Sequence, residues 1–233
     1  MVKAAILLLV ALLVPAAAGA RAHGHVQRTI DPSRFSAQID NPWFPLRPGT
    51  VAVYTGVKDG KKAKDFVTVT RQTKTIAGAR CRAVRDRLYL DGRPAERTTD
   101  WYTQDDRGNV WYFGERTAEL DRHGRVTSTE GTWQAGVDGG RPGIFMPARP
   151  RVGAAYRQEF YKGHAEDHFR VVSVFKTVTS PSAPNALLTQ EWTPLEPGVI
   201  DHKLYVRGIG EVLERSVQGA NEHLELVSLR SRR

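Results

Sequence analysis

Cysteine is nearly missing from this chain: Cys81 is the only one in 233 residues, so no intramolecular disulfide can form. Stability must come from a hydrophobic core. Cys81 itself, within Arg80-Cys81-Arg82-Ala83-Val84, reads as a buried small apolar group, because no neighbouring base marks it as a nucleophile. Long apolar runs are almost as scarce. The one example, Ala4 to Val14, falls short of the ~20 residues needed to cross a bilayer. Helix-period apolar faces are missing beyond it. The G-x-S-x-G, nucleotide-loop and H-E-x-x-H patterns are missing throughout, so hydrolase chemistry by those routes is unsupported.

Negative charge is in deficit: 25 Asp and Glu oppose 34 Lys and Arg, leaving a net +9. The excess is mostly arginine and is dispersed, with dense runs only at Lys58 to Lys64 and at Arg230, Arg232 and Arg233. Such a surface suits anionic envelope polymers or lipid headgroups, and with no recognition motif present a nucleic-acid partner is not expected.

What is there begins with an export signal. Lys3, the apolar run, Pro15 and the small residues after it form a signal-peptide pattern over residues 1–22. Cleavage after Ala20 or after Ala22 fits an A-x-A site, so the mature protein is expected outside the cytoplasm as a monomer without a transmembrane anchor. Either cut leaves a histidine third from the new end, in Arg21-Ala22-His23 or His23-Gly24-His25. A free amine, two backbone amides and that imidazole make a square-planar set suited to Cu(II). Copper binding through His23 and His25 is one expectation for this tail; a solvated end that carries histidines without metal is the plainer one. Residues 23–40 read as a flexible polar segment and 41–233 as a single β domain.

The β reading follows from spacing. Asn41-Pro42-Trp43-Phe44-Pro45-Leu46-Arg47-Pro48-Gly49 is too rich in proline for helix or interior strand, and Trp43 and Phe44 are expected to plug one end of the core. From Thr50 onward, short β-type runs alternate with turn signals at a spacing near ten residues. Strands are predicted at 50–57, 65–72, 79–90, 95–104, 109–115 and 125–133, then, past an irregular Gly/Pro loop, at 154–161, 167–178, 186–192, 202–207, 211–217 and 223–230. Asp91-Gly92, Asp105 to Asn109 and Asp121 to Gly124 share one turn chemistry: aspartate caps and glycine takes the positive φ. About a dozen hairpin-linked strands must curl or close to remove their edges. The predicted fold is all-β, a large, strongly curved antiparallel sheet, barrel or half-barrel.

Two segments concentrate candidate chemistry. In Thr99 to Glu115, Asp106-x-Gly108-x-x-Trp111 resembles the Asp-box hairpin of sialidase-like propellers, in which the aspartate pins the turn; it occurs once, so no propeller is implied. Trp111, Tyr112 and Phe113 must point to both faces of their strand. In His164 to His168, strand geometry puts His164, Glu166 and His168 on one face, but the downstream apolar positions Phe169, Val171 and Phe175 send that face to solvent and Asp167 inward. An inward carboxylate must be paired, hydrogen-bonded or protonated. Asp100, Glu115, Glu159, Glu191 and Glu196 are further acids that paired-carboxylate chemistry would draw on, and nothing in their spacing selects a pair.

Together these segments resemble a family of uncharacterised exported bacterial proteins. The likeness rests on Asn41-Pro42-Trp43-Phe44-Pro45-Leu46, the Thr99 to Glu115 block, Gly143-Ile144-Phe145-Met146-Pro147-Ala148, Ala165-Glu166-Asp167, Leu195-Glu196-Pro197-Gly198 and Gly208-Ile209-Gly210. The resemblance implies that Asp100, Glu115, Glu166 and Asp167 belong to the family's pattern, and it implies no activity.

Three functions compete. The first is a secreted non-enzymatic β-domain binding a small apolar or amphipathic molecule, lipid or envelope glycan in the concavity of its sheet, with Asp100, Trp101, Tyr112, Glu115, Glu166, Asp167, Glu191 and Trp192 as the expected contacts. The second is a carbohydrate-active hydrolase using two of the acids. The third is extracytoplasmic copper binding at the amino terminus.

Overall fold

Apolar and polar residues alternate along most of this chain, and the backbone follows that period of two. The computed structural model describes residues 31–176 and 185–231; the export segment expected over residues 1–22, and His23 and His25, lie outside them. A 3-10 turn, Pro32–Arg34, leads into β1 (Phe35–Ser36), β2 (Thr50–Lys58), β3 (Lys61–Ile76), β4 (Ala79–Leu90), β5 (Arg93–Asp105) and β6 (Val110–Leu120). Short strands follow: β7 (Val126–Ser128), β8 (Trp133–Gln134), β9 (Arg141–Met146), β10 (Ala155–Arg157) and β11 (Glu159–Phe160). The last five are β12 (His168–Lys176), β13 (Asn185–Trp192), β14 (Ile200–Val206), β15 (Gly210–Gln218) and β16 (Glu222–Ser231).

The main antiparallel path runs β10-β12-β13-β14-β15-β16-β2-β3-β4-β5-β6-β9-β11, with β1, β7 and β8 attached to β5 and β6. Its two ends are neighbours in sequence: Gln158 alone separates β10, which pairs with β12, from β11, which pairs with β9. The sheet therefore curls until both edges meet on one segment, a nearly closed barrel that leaves little unpaired edge. Gly143 permits the seam, since a Cβ there would lie 2.1 Å from the Arg157 carbonyl oxygen and 2.7 Å from that of Gln158. No helix among the described residues is long and apolar enough to cross a membrane.

The Asn41 to Gly49 segment closes one end, as its prolines suggested. Asn41 is buried; its Nδ2 donates to the carbonyls of Gly108 and Pro147, and its Oδ1 accepts from the backbone of Trp43 and Phe44. Gly208 donates to the Pro42 carbonyl from the far side. Trp43 is buried beneath this plug. A second cluster, Ala52, Tyr54, Ala63, Leu88 and Leu224, packs the wall made by β16, β2, β3 and β4.

Several local expectations are corrected. The 125–133 strand is broken into β7 and β8 by a turn closed by Thr132 N to Thr129 O, with Gly131 at φ 86°. The expected irregular loop contains β9, hidden in sequence by Pro142 and Gly143, which are the residues that bring the seam together. The Asp-box-like turn is pinned by Asp105, not Asp106. Asp105 Oδ1 accepts from Arg107 N at 3.0 Å and Asn109 N at 2.8 Å, while Oδ2 accepts from Asn109 Nδ2 and Trp111 Nε1, both at 2.9 Å. Asp106 instead pairs with Arg34. Lys162 to His164 form a turn closed by the Tyr161–Ala165 bridge, and β12 begins only at His168. His164 stacks on Tyr161 and contacts Glu130, so the shared histidine face does not arise.

Candidate functional site

Inside the barrel the alternation brings an unusual set of residues together. Asp65, Val67 and Val69 of β3, Val84 and Asp86 of β4, and Glu96, Thr98, Asp100 and Tyr102 of β5 all line one cavity of about 350 Å³. On β6 the parity changes. Asp100 pairs with Glu115 but Tyr102 with Tyr112, so two residues of β6 face one of β5, and Gly114 at φ 144° takes the bulge. The bulge puts both Tyr112 and Glu115 on the inner wall.

The plug side of the cavity is aromatic. Tyr102 and Tyr112 stack with centroids 4.8 Å apart, Phe145 lies edge-on to them at 4.9 and 5.8 Å, and Phe44 of the plug meets Phe145 at 4.7 Å. Above this layer the wall is acidic. Ten carboxylates line it, Asp65, Asp86, Glu96, Asp100, Glu115, Glu159, Asp167, Glu191, Glu211 and Glu214, with Lys203 as the one basic side chain among the described lining residues. A chain of net charge +9 has thus turned its acids inward and left the positive excess on its outside.

Three arrangements hold these acids. Tyr112 Oη lies 2.7 Å from Asp100 Oδ1 and 3.1 Å from Glu115 Oε2. One phenolic proton serves one carboxylate fully, so the pair needs a further proton. Burial raises Asp100 to about 7 even against the Tyr112 bond, and burial together with the Asp100 charge raises Glu115 to about 8. Lys203 Nζ sits 3.1 Å from Glu214 and 3.5 Å from Glu191; burial works against its charge, but these two acids together with Glu211 outweigh it and hold its pKa well above the usual lysine value. Burial raises Glu211, near the same lysine, to about 8.

The third arrangement is carboxyl beside carboxyl. Asp65 adjoins Asp86, and Glu159 adjoins Asp167; burial, followed by the neighbouring acid in Asp86 and Glu159, pushes those two well upward. Asp65 Oδ1 and Glu159 Oε2 have no partner apart from the neighbouring carboxyl, which can bond to them only when one acid of the pair is protonated. The Trp133 indole N–H comes up to Glu159 without making a well-formed bond and is itself unpartnered. Buried acceptors without donors are costly, so their retention calls for a reason.

Of the residues expected from sequence, Asp100, Tyr112, Glu115, Asp167 and Glu191 line this cavity. Asp167 lines the cavity as anticipated, yet the residue is exposed rather than buried. His168 and Trp192 pair across β12 and β13 and stack at 5.6 Å, on the face opposite Phe169 and Glu191. Trp101 turns outward into a second, smaller pocket with Trp133 and Tyr161, under Lys74 at 4.0 Å. Glu166 caps its own turn by accepting from Gly163 N. No group of three or more His, Cys, Asp or Glu among the described residues is placed to hold a metal ion. Cys81 is fully buried and burial raises its thiol to about 12, as expected of an inert side chain.

The sequence missed Asp65, Asp86, Glu96, Lys203, Glu211 and Glu214. The signal was present as charged residues on otherwise apolar alternation, as in Ala63-x-Asp65-x-Val67 and Val84-x-Asp86-x-Leu88.

No protein-family model matches this sequence, nor does any curated protein. Among solved structures, the chain is similar to a protein of YmcC-like fold from Bacteroides fragilis, provisionally described as exported, at 16% identity over 81% of this chain and 99% of that one, with a TM-score of 0.43. It is also similar to a protein from Parabacteroides distasonis, provisionally described as a lipoprotein, at 10% identity over 82% of this chain and 99% of that one, with a TM-score of 0.41.

Proposed function

We propose that this chain is an exported, non-enzymatic barrel that holds a small amphipathic molecule in its interior, the apolar part against the aromatic layer and the polar part among the carboxylates. One observation carries the reading: the barrel's middle is a 350 Å³ cavity with two orphaned buried acceptors, where a protein built only for stability would place packed aliphatic side chains. Export rests on the signal pattern of residues 1–22. The test is native mass spectrometry of protein secreted by its own host, with a Val67→Trp variant that fills the cavity from β3. The expected result is a small molecule released from the wild type on denaturation and missing from the variant. An empty wild type that also takes up no added amphiphile overturns the reading.

Carbohydrate hydrolysis is the second reading, favoured by Asp100 and Glu115 meeting on one phenol inside the cavity. Turnover of aryl glycosides by the wild type, lost in Glu115→Gln, would establish it. Copper binding at His23 and His25 is an independent proposal: copper titration of the mature chain against one lacking residues 23–25 decides it, equal affinities ending the idea.

A further inference from the structure

We infer that the molecule held in this cavity is a linear organic dication, an alkyl chain with a protonated amine near each end. The inference rests on the interior-binding reading above and adds the ligand's charge and shape. Charge comes first. The only lysine among the described lining residues is already engaged by Glu191 and Glu214, so the remaining acids have no cation of their own.

Position comes second. The two orphaned oxygens belong to Asp65 and Glu159, whose residues are 8% and 5% exposed and both face the cavity. In the sheet they sit on β3 and β11, with β4, β5, β6 and β9 between them. They therefore stand on well-separated strands in the wall of one cavity. Each has a second carboxyl alongside, Asp86 at one and Asp167 at the other. An ammonium brings three donors and no acceptor, which suits a pair of carboxyl groups. The strands between them carry Tyr102, Tyr112 and Phe145 toward the plug, a surface for methylenes, and Glu96, Asp100 and Glu115 as further acids along the same wall.

Other ligand classes fit less well. A metal ion needs converging ligands, and no such group of three exists among the described residues. A neutral amphiphile offers the carboxyl pairs fewer donors than an ammonium and no charge, and an anion adds repulsion.

The experiment is isothermal titration of the mature protein with four probes of one chain length: 1,8-diaminooctane, octylamine, 1,8-octanediol and octanoate. The diamine is expected to bind at least about tenfold more tightly than octylamine, with the diol and octanoate weaker still. Asp65→Asn and Glu159→Gln, near-isosteric changes whose folding is checked by thermal melting, are each expected to bring the diamine down to octylamine's affinity. Octylamine matching the diamine, or diamine binding that neither variant alters, overturns the dication. Tighter binding of the diol or octanoate also overturns it while leaving interior binding intact. Failure of all four probes, together with an empty native protein, removes both readings.

Discussion

One hairpin, β5–β6, holds acids in two opposite situations. At its tip Asp105 receives four hydrogen bonds, two from backbone N–H groups and two from the side chains of Asn109 and Trp111. Lower on the same strands, Asp100 and Glu115 share the single phenol of Tyr112, and across the cavity Glu159 Oε2 has no partner apart from the carboxyl of Asp167. Both settings put acid beside aromatic, so residue type does not separate them. The supply of donors does. Where donors are abundant the acid builds the turn, and where they are withheld the acid remains free to meet something else.

Lys203→Met breaks this contrast most severely, because it removes the cation that Glu191 and Glu214 share. A loss of about 3–5 kcal/mol in urea unfolding at neutral pH is expected. Asp105→Ala should cost about 2–3 kcal/mol by the same measurement, through a turn left with unpaired donors, and should leave amine binding in the cavity unchanged. A loss of binding there would show that the tip and the interior are not separate in function. Glu159→Gln sharpens the comparison from the other side. Replacing an unpartnered buried acid with a neutral amide is expected to raise stability by about 1 kcal/mol at about pH 8 while it lowers diamine affinity. A stability loss instead would mean Glu159 supports the fold as Asp105 does.

The all-β class, the antiparallel hairpins and the plug were legible because each has a local signature: alternation, Asp-Gly turns, and prolines around Trp43 and Phe44. The site was legible only in part. Asp100, Glu115, Asp167 and Glu191 were candidates and line the cavity; Trp101 and Trp192, their neighbours in the strands, do not line it, although Trp192 borders a smaller pocket with Asp167 and Glu191. Which way a side chain faces is set by register. The Gly114 bulge reverses parity on β6, and the shift at Leu204/Tyr205 does so on β15 against β14. Such shifts arise from pairing with distant strands, so Glu211 and Glu214, three apart on β15 and both lining the cavity, could not be placed inside together from their own neighbours, whereas Asp65 was marked by its alternation and overlooked. β9 was hidden for a related reason, since Gly143 is needed by the Arg157 and Gln158 backbone and not by its own strand.

The central claim, that the interior acids are held for a cationic guest, is tested most directly by melting temperature against pH, with and without 1,8-diaminooctane. Folding raises Asp100 from 3.8 to about 7 and Glu115 from 4.5 to about 8, so it favours their protonated forms. The stability they contribute is complete below the ordinary carboxylate values and is lost as pH rises through about 7 and about 8. The free protein should therefore melt lower at about pH 8 than at about pH 5, and saturating diamine should restore the difference at the higher pH and add little at the lower. A free protein whose melting temperature does not fall over that range, or a diamine shift no larger at about pH 8 than at about pH 5, would contradict the claim.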